Sequence, residues 1–235
     1  MLQARFPDAD ERALGYAVRL QLPLVMVPTD DPWAFPSTGA FTTAASWLDA
    51  PLSPLDQSAE LASRYLRAFG PASAADFQSW SGLTGARAIL GRVDPPLRKY
   101  KDDQGRDLFD LVDVPIPDPD VPAPPRFLPE FDSLLLAHAD RRRVVHDDHR
   151  AALVTKNLRV KAAVLLDGSV CATWSVNRRK DAATLELTPL RPLSPTTLDE
   201  LGPEAMSVLE FLEPDASRYE LSEVPPAREG RRKSG

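Results

Sequence analysis

The residues of this chain that could do chemistry fall into a few small sets. Two of its three histidines, His146 and His149, flank Asp147 and Asp148. Histidines three apart can share a helical face, and with carboxylates they form part of a metal shell, but a third firm ligand is not evident. Glu130 and Asp132 alternate in an extended stretch beside Arg126, so both would point the same way, as a general acid and base do. The competing reading is a structural bridge to Arg126. Cys171 is the only cysteine, which excludes an intrachain disulfide and a cysteine-based zinc cluster and fits a reducing, cytoplasmic setting. It falls in a β-prone run and reads as core. No set completes a catalytic constellation, and no cofactor is expected.

The cations are more suggestive. Arg87, Arg92, Arg98, Lys99, Lys101 and Arg106 stand against Asp94, Asp102 and Asp103, leaving +3 over residues 84–106. A second cluster, Arg141, Arg142, Arg143, Arg150, Lys156, Arg159 and Lys161, is opposed by Asp140, Asp147 and Asp148, leaving +4. Such cations could neutralise nucleic-acid phosphates, or form an ordinary solvated surface with ion pairs to neighbouring acids. The whole chain carries -6, so a nucleic-acid partner must meet a locally basic face on an acidic body. Arginine outnumbers lysine 22 to 6, which suits planar phosphate contacts and equally suits GC-rich codon usage. Trp33 lies in a proline-marked loop, where an aromatic can stack on a base or pack on its own strand.

The elements that must hold these residues can be read from periodicity. Residues 58–69 carry Leu61, Ala62, Tyr65, Leu66 and Phe69 on one helical face, with Gly70 as the stop. A short helix follows Ser73 and buries Phe77 and Trp80. A third begins with Thr84 as cap and places Ala86, Ile89, Leu90 and Val93 at i, i+3, i+4 and i+7. Residues 97–101 and 107–112 then read as strands around Asp102-Asp103-Gln104-Gly105. Three helices and a hairpin are the order of a winged helix, whose third helix is the one that enters a DNA groove. Arg87 and Arg92 flank that helix, and Lys99, Lys101 and Arg106 decorate the wing.

Before this unit, residues 8–20 read as a helix with a capping box from Asp8 to Glu11, residues 22–27 as a strand, and Phe41-Thr42-Thr43 as another. That order matches the second half of a winged helix over residues 1–50, and its uncovered apolar face predicts a homodimer. Residues 115–125 hold six prolines and predict a semi-rigid spacer of about 34 Å, which places a linker over 114–125 and a domain boundary there. Residues 126–224 predict a smaller α+β domain. It would contain a hairpin around Asp167-Gly168, a third strand over 182–190, a helix capped by Ser194 that runs toward Leu212 with a break or kink at Gly202-Pro203, and a last strand over 219–224. Residues 225–235 read as a disordered tail. The most apolar stretch, 20–27, is far short of the about 18 residues a membrane span needs.

These residues resemble a known family. Arg64-Tyr65-Leu66-Arg67-Ala68-Phe69-Gly70-Pro71-Ala72 with Asp76-Phe77-Gln78-Ser79-Trp80-Ser81-Gly82-Leu83 is similar to the third winged helix of the AlkZ-like DNA glycosylases. Arg126-Phe127-Leu128-Pro129-Glu130-Phe131-Asp132, with Leu134-Leu135-Leu136-Ala137-His138-Ala139-Asp140-Arg141 after it, resembles the next signature of that family. Val164-Leu165-Leu166-Asp167-Gly168 with Thr173-Trp174 resembles its terminal β-rich domain. Leu22-Pro23-Leu24-Val25 with Phe41-Thr42-Thr43-Ala44 and Trp47 resembles the end of its second winged helix. The resemblance implies double-stranded DNA as partner, tandem winged helices followed by a barrel-like domain, and, in some members, excision of alkylated or crosslinked bases. It also implies a catalytic Gln-x-Gln or Gln-x-Asp in the first winged helix. The glutamines here are Gln3, Gln21, Gln57, Gln78 and Gln104, and none forms either motif. The expectation is therefore a chain matching the C-terminal two-thirds of a family member, catalytically silent alone. The alternatives are a transcriptional regulator or protein-interaction module, and a glycosylase whose catalytic segment is encoded upstream.

Overall fold

The computed structural model describes residues 8, 10–30, 39–53, 55–155 and 157–225. Trp33, Lys156 and the tail beyond residue 225 lie outside these residues. The class is α+β, and the chain falls into two units, Met1–Asp56 and Gln57–Gly235.

In the first unit, α1 (Glu11–Gln21) starts from Asp10, whose carboxylate accepts the Ala13 amide at 2.9 Å, so Asp10 rather than Asp8 is the cap. Strand β1 (Leu24–Met26) pairs antiparallel with β2 (Phe41–Thr43). A one-turn helix, α2 (Ala44–Leu48), follows at once, with the Thr43 hydroxyl accepting the Ser46 amide. Arg19 lies 4.9 Å over the Phe41 ring. None of the described residues of this unit is buried, and Tyr16, Leu20, Leu22, Trp47, Leu48 and Leu55 are all exposed.

The second unit begins with α3 (Ser58–Phe69), α4 (Ala74–Ser81) and α5 (Ala86–Leu90). The apolar stripe read from the sequence is the buried one: Ala86, Ile89, Leu90 and Val93 join Ala62, Tyr65, Leu66 and Phe77 in one core. Tyr65 centres an aromatic cluster, with ring centroids 5.0 Å from Trp80 and 5.3 Å from Phe77. Helix α5 is not capped by Thr84. Its cap is Gly85 at φ +72, where a side chain would be strained, and no side chain caps the helix. Strands β3 (Arg98–Lys101) and β4 (Asp107–Asp110) form the expected hairpin, with Gly105 at φ +75 in the turn. Ala72 bridges to Phe109 and ties the hairpin to the helices.

Residues 114–125 carry neither helix nor strand, and both flanks fall in the same compact unit. Beyond them, β5 (Arg126–Leu128), α6 (Ser133–Leu136), a 3-10 turn (Asp147–His149) and α7 (Arg150–Leu153) lead into β6 (Ala163–Leu166), β7 (Ser169–Arg179) and β8 (Ala182–Pro189). Helix α8 (Pro195–Leu212) and β9 (Arg218–Glu223) close the chain. The sheet order is β5-β6-β7-β8-β9, antiparallel except for the parallel β8–β9 pair. Helix α8 runs unbroken through Gly202-Pro203. Proline in a helix interior costs about 3 kcal/mol, whereas burying Leu201 and Leu209 on the sheet contributes roughly 3–6 kcal/mol, so packing overrides the local breaker.

Candidate nucleic-acid interface

Helix α5 turns its apolar residues inward, which leaves Arg87 on the exposed side. The Arg87 guanidinium reaches Asp107 on the β3–β4 hairpin at 3.4 Å. Lys101 sits directly opposite Asp107 in the hairpin register and pairs with it at 2.6 Å. One carboxylate thus serves two cations, and hydrogen bonding and charge from Lys101, then Arg87, hold Asp107 below the usual carboxylate range. Arg92, just past α5, donates to the Ser58 hydroxyl at 2.7 Å. Arg98 folds back onto the Val112 carbonyl at 3.0 Å and the Tyr100 hydroxyl at 3.1 Å, so it braces the hairpin. Lys99 is exposed on the next position of the strand.

Arg106 closes the turn by donating to Asp102 and then reaches Asp140, 34 residues away, at 2.7 Å. Asp140 also takes both arms of Arg142. Hydrogen bonds from Arg142, and then from Arg106, overcome partial desolvation and keep Asp140 strongly ionised. Arg143 donates to the Pro71 carbonyl at 2.9 Å. Arg141 departs from its neighbours: it is partly buried, and its Nε makes one long contact with the His138 carbonyl at 3.4 Å. Arg150 pairs with Asp147 at 3.5 Å. Together Arg87, Lys101, Arg106, Arg142 and Arg150 line a groove of about 780 Å³, with Asp107, Asp140 and Asp147 among them.

Three contacts fasten the 137–140 segment to the three-helix and hairpin region. The Tyr65 hydroxyl donates to the Ala137 carbonyl at 2.8 Å. His138 Nε2 lies 3.0 Å from the Phe69 carbonyl, and burial, with Arg143 nearby, lowers its pKa. Asp76 is the third. Its Oδ2 accepts the Ser73 amide and hydroxyl at 2.8 and 2.7 Å, completing a capping box, and its Oδ1 accepts the Ala139 and Asp140 amides at 2.9 and 3.3 Å. Burial pushes this carboxylate up, but the hydrogen bonds from Ser73 and Asp140 outweigh it and leave Asp76 below its ordinary value.

The other candidate sites come apart. Glu130 and Asp132 do not lie on a strand: β5 ends at Leu128, and Phe131 between them adopts φ +58. Glu130 pairs with Arg159 at 2.7 Å rather than with Arg126, which reaches Glu204, and Asp132 caps α6 by accepting the Leu134 amide. His146 Nδ1 accepts the Asp148 amide, and its ring lies 5.6 Å from that of His149. Among the described residues no three His, Cys, Asp or Glu side chains converge as a metal site would need. Cys171 is fully buried in the sheet core, and desolvation pushes its thiol up. Two of the acids that hold the basic face together, Asp107 and Asp76, were missed by residue type alone, whereas Asp140 already stood against the second cluster in the sequence. Only Asp76 left a local trace, three residues after Ser73, in capping-box spacing.

Among the described residues no helix is long and apolar enough to cross a membrane. No curated protein matches the chain. The solved structure of the Streptomyces sahachiroi DNA glycosylase AlkZ is similar in fold, with a TM-score of 0.63 at 20% sequence identity. The match covers 92% of this chain and 62% of that one, so the chain spans under two thirds of its neighbour's length. A family model described as DNA glycosylase AlkZ-like matches residues 1–211. With nearly the whole sequence inside that match, the chain belongs to the AlkZ-like DNA glycosylase family.

Proposed function

We propose that this protein binds double-stranded DNA through the groove beside α5 and the wing, and that it performs no glycosylase chemistry with its own residues. The supporting observation is the convergence of five cations, Arg87, Lys101, Arg106, Arg142 and Arg150, from segments far apart in sequence onto one groove. Ion pairs at exposed positions are weak, so a phosphate can displace the aspartates that now hold these cations. Arg92, Arg98, Lys99, Arg141 and Arg143 are further sequence-derived contacts, of which Lys99 is the most available to a phosphate. Damaged duplex is the natural target of the family, and the absence of Gln-x-Gln and Gln-x-Asp from the sequence argues against base excision.

The test is fluorescence anisotropy with a short duplex between about 50 and 200 mM salt. Each cation engaged adds about 0.9 to the log–log salt slope, so three to five contacts give roughly 3 to 4.5. Arg87→Ala should weaken binding across sequences and flatten the slope by about 1. Undetectable or salt-independent binding at low ionic strength removes the proposal. It would favour a winged-helix regulator or protein-interaction module, a reading supported by the way Asp107, Asp102 and Asp140 neutralise the wing.

A further inference from the structure

Arg141 is one of the cluster arginines that do not line the groove, and among the described residues it is the one that lines a separate, mostly apolar cavity with Arg150. A guanidinium has five N–H donors and keeps its proton at any physiological pH. Arg141 is partly buried, yet its side chain makes only the long contact with the His138 carbonyl. Among the described residues no carboxylate lies within ion-pair distance of it, because Asp140 is taken by Arg106 and Arg142 and Asp147 by Arg150. The charge that bears on it is another cation, Arg150; desolvation first, and that cation second, lower its pKa. Withdrawing a charged group from water without a counterion is unfavourable unless something completes the site.

What Arg141 faces is a cavity of about 290 Å³, walled by Leu135, Val145, Leu153 and Val160 and shared with Arg150. Those four apolar side chains belong to a buried cluster under the sheet. A lining that is mostly apolar with a few convergent charged groups is the usual composition of a small-molecule site. Two cations on an apolar wall repel each other until an oxyanion lies between them, and that anion would supply acceptors for donors that now lack them.

We infer that this cavity binds a small organic oxyanion, its charged head held by Arg141 and Arg150 and its compact apolar body set against Leu135, Val145 and Val160. The inference is independent of DNA binding. Arg141 does not line the basic groove, whereas Arg150 lines both, so the two sites adjoin without coinciding.

The experiment is calorimetric titration of the full chain with phenyl phosphate, benzoate and inorganic phosphate at neutral pH, alongside thermal unfolding at rising ligand concentration. Phenyl phosphate or benzoate is expected to bind at least about tenfold more tightly than inorganic phosphate and to raise the midpoint with concentration. Arg141→Met should reduce that binding at least about tenfold while Arg64→Met, at an exposed pair with Glu60, leaves it unchanged. Should Arg141→Met not fold, Ala151→Trp blocks the cavity from an exposed position and should abolish binding by itself. Absence of binding to the wild-type chain overturns the inference, as does binding that survives both substitutions. If Arg141→Met weakens duplex binding while the small anions do not bind, the pocket is a DNA phosphate contact and the inference is wrong.

Discussion

Replacing Asp76 separates two jobs performed by one side chain. Its Oδ2 accepts two hydrogen bonds from Ser73 at the start of α4, and its Oδ1 accepts two from Ala139 and Asp140 across the seam. With only 5% of its surface exposed, water cannot replace the carboxylate. Taking about 1 kcal/mol for each bond, Asp76→Ala should cost about 4 kcal/mol. For a chain of this length that lowers the melting temperature by about 8–16 °C. Asp76→Asn keeps an oxygen for the seam but sets an amide donor against the Ser73 N–H and O–H, so about half the loss is expected. Urea unfolding followed by tryptophan fluorescence, which reports on Trp80 in the Tyr65 cluster, measures both. Because the folded-state pKa of Asp76 is lowered, its stabilisation is complete above the unfolded carboxylate value near 4 and is lost as pH falls through the folded value. The advantage of wild type over Asp76→Asn should therefore shrink in acid. An Asp76→Ala loss below about 1 kcal/mol, or a gap between wild type and Asp76→Asn that does not change in acid, would refute the reasoning.

Three further outcomes follow from the geometry. Asp107→Asn removes the carboxylate that phosphate must displace from Lys101 and Arg87, so duplex affinity should rise several-fold, measured by anisotropy titration; unchanged affinity means that Asp107 does not compete with phosphate. Pro203→Ala restores a helix donor in α8 and should raise unfolding stability by about 1–3 kcal/mol in urea, and no gain would mean the helix has already absorbed the cost of the proline. The exposed apolar residues of the first unit should make the chain self-associate, so light scattering on a sizing column should find a dimer that Leu20→Glu or Trp47→Glu returns to monomer. A monomeric wild type at high concentration sinks that last expectation.

Where one local rule decided the structure, the sequence was readable. The stripe Ala86, Ile89, Leu90 and Val93 needs only helical periodicity, and the turns at Gly105 and Asp167-Gly168 need only backbone conformation. Helix α8 was misread because its proline is a local signal, whereas the burial of Leu201 and Leu209 that overrides it is tertiary. The basic face was half legible. Residue types located the cations, but the bond from Arg106 to Asp140 spans 34 residues and that from Asp76 to Ala139 spans 63, and no spacing rule reaches so far. Glu130 and Asp132 were misplaced by the assumption of strand alternation, which the left-handed Phe131 breaks.

The proline-dense stretch is not alone in joining the helices to the sheet. Tyr65, Asp76, His138 and Arg143 already rivet residues 137–143 to the helices and to the Pro71 carbonyl. A protease nick within residues 115–125 should leave one particle whose fragments separate only on denaturation. The face proposed to meet DNA and the sheet behind it should then turn together.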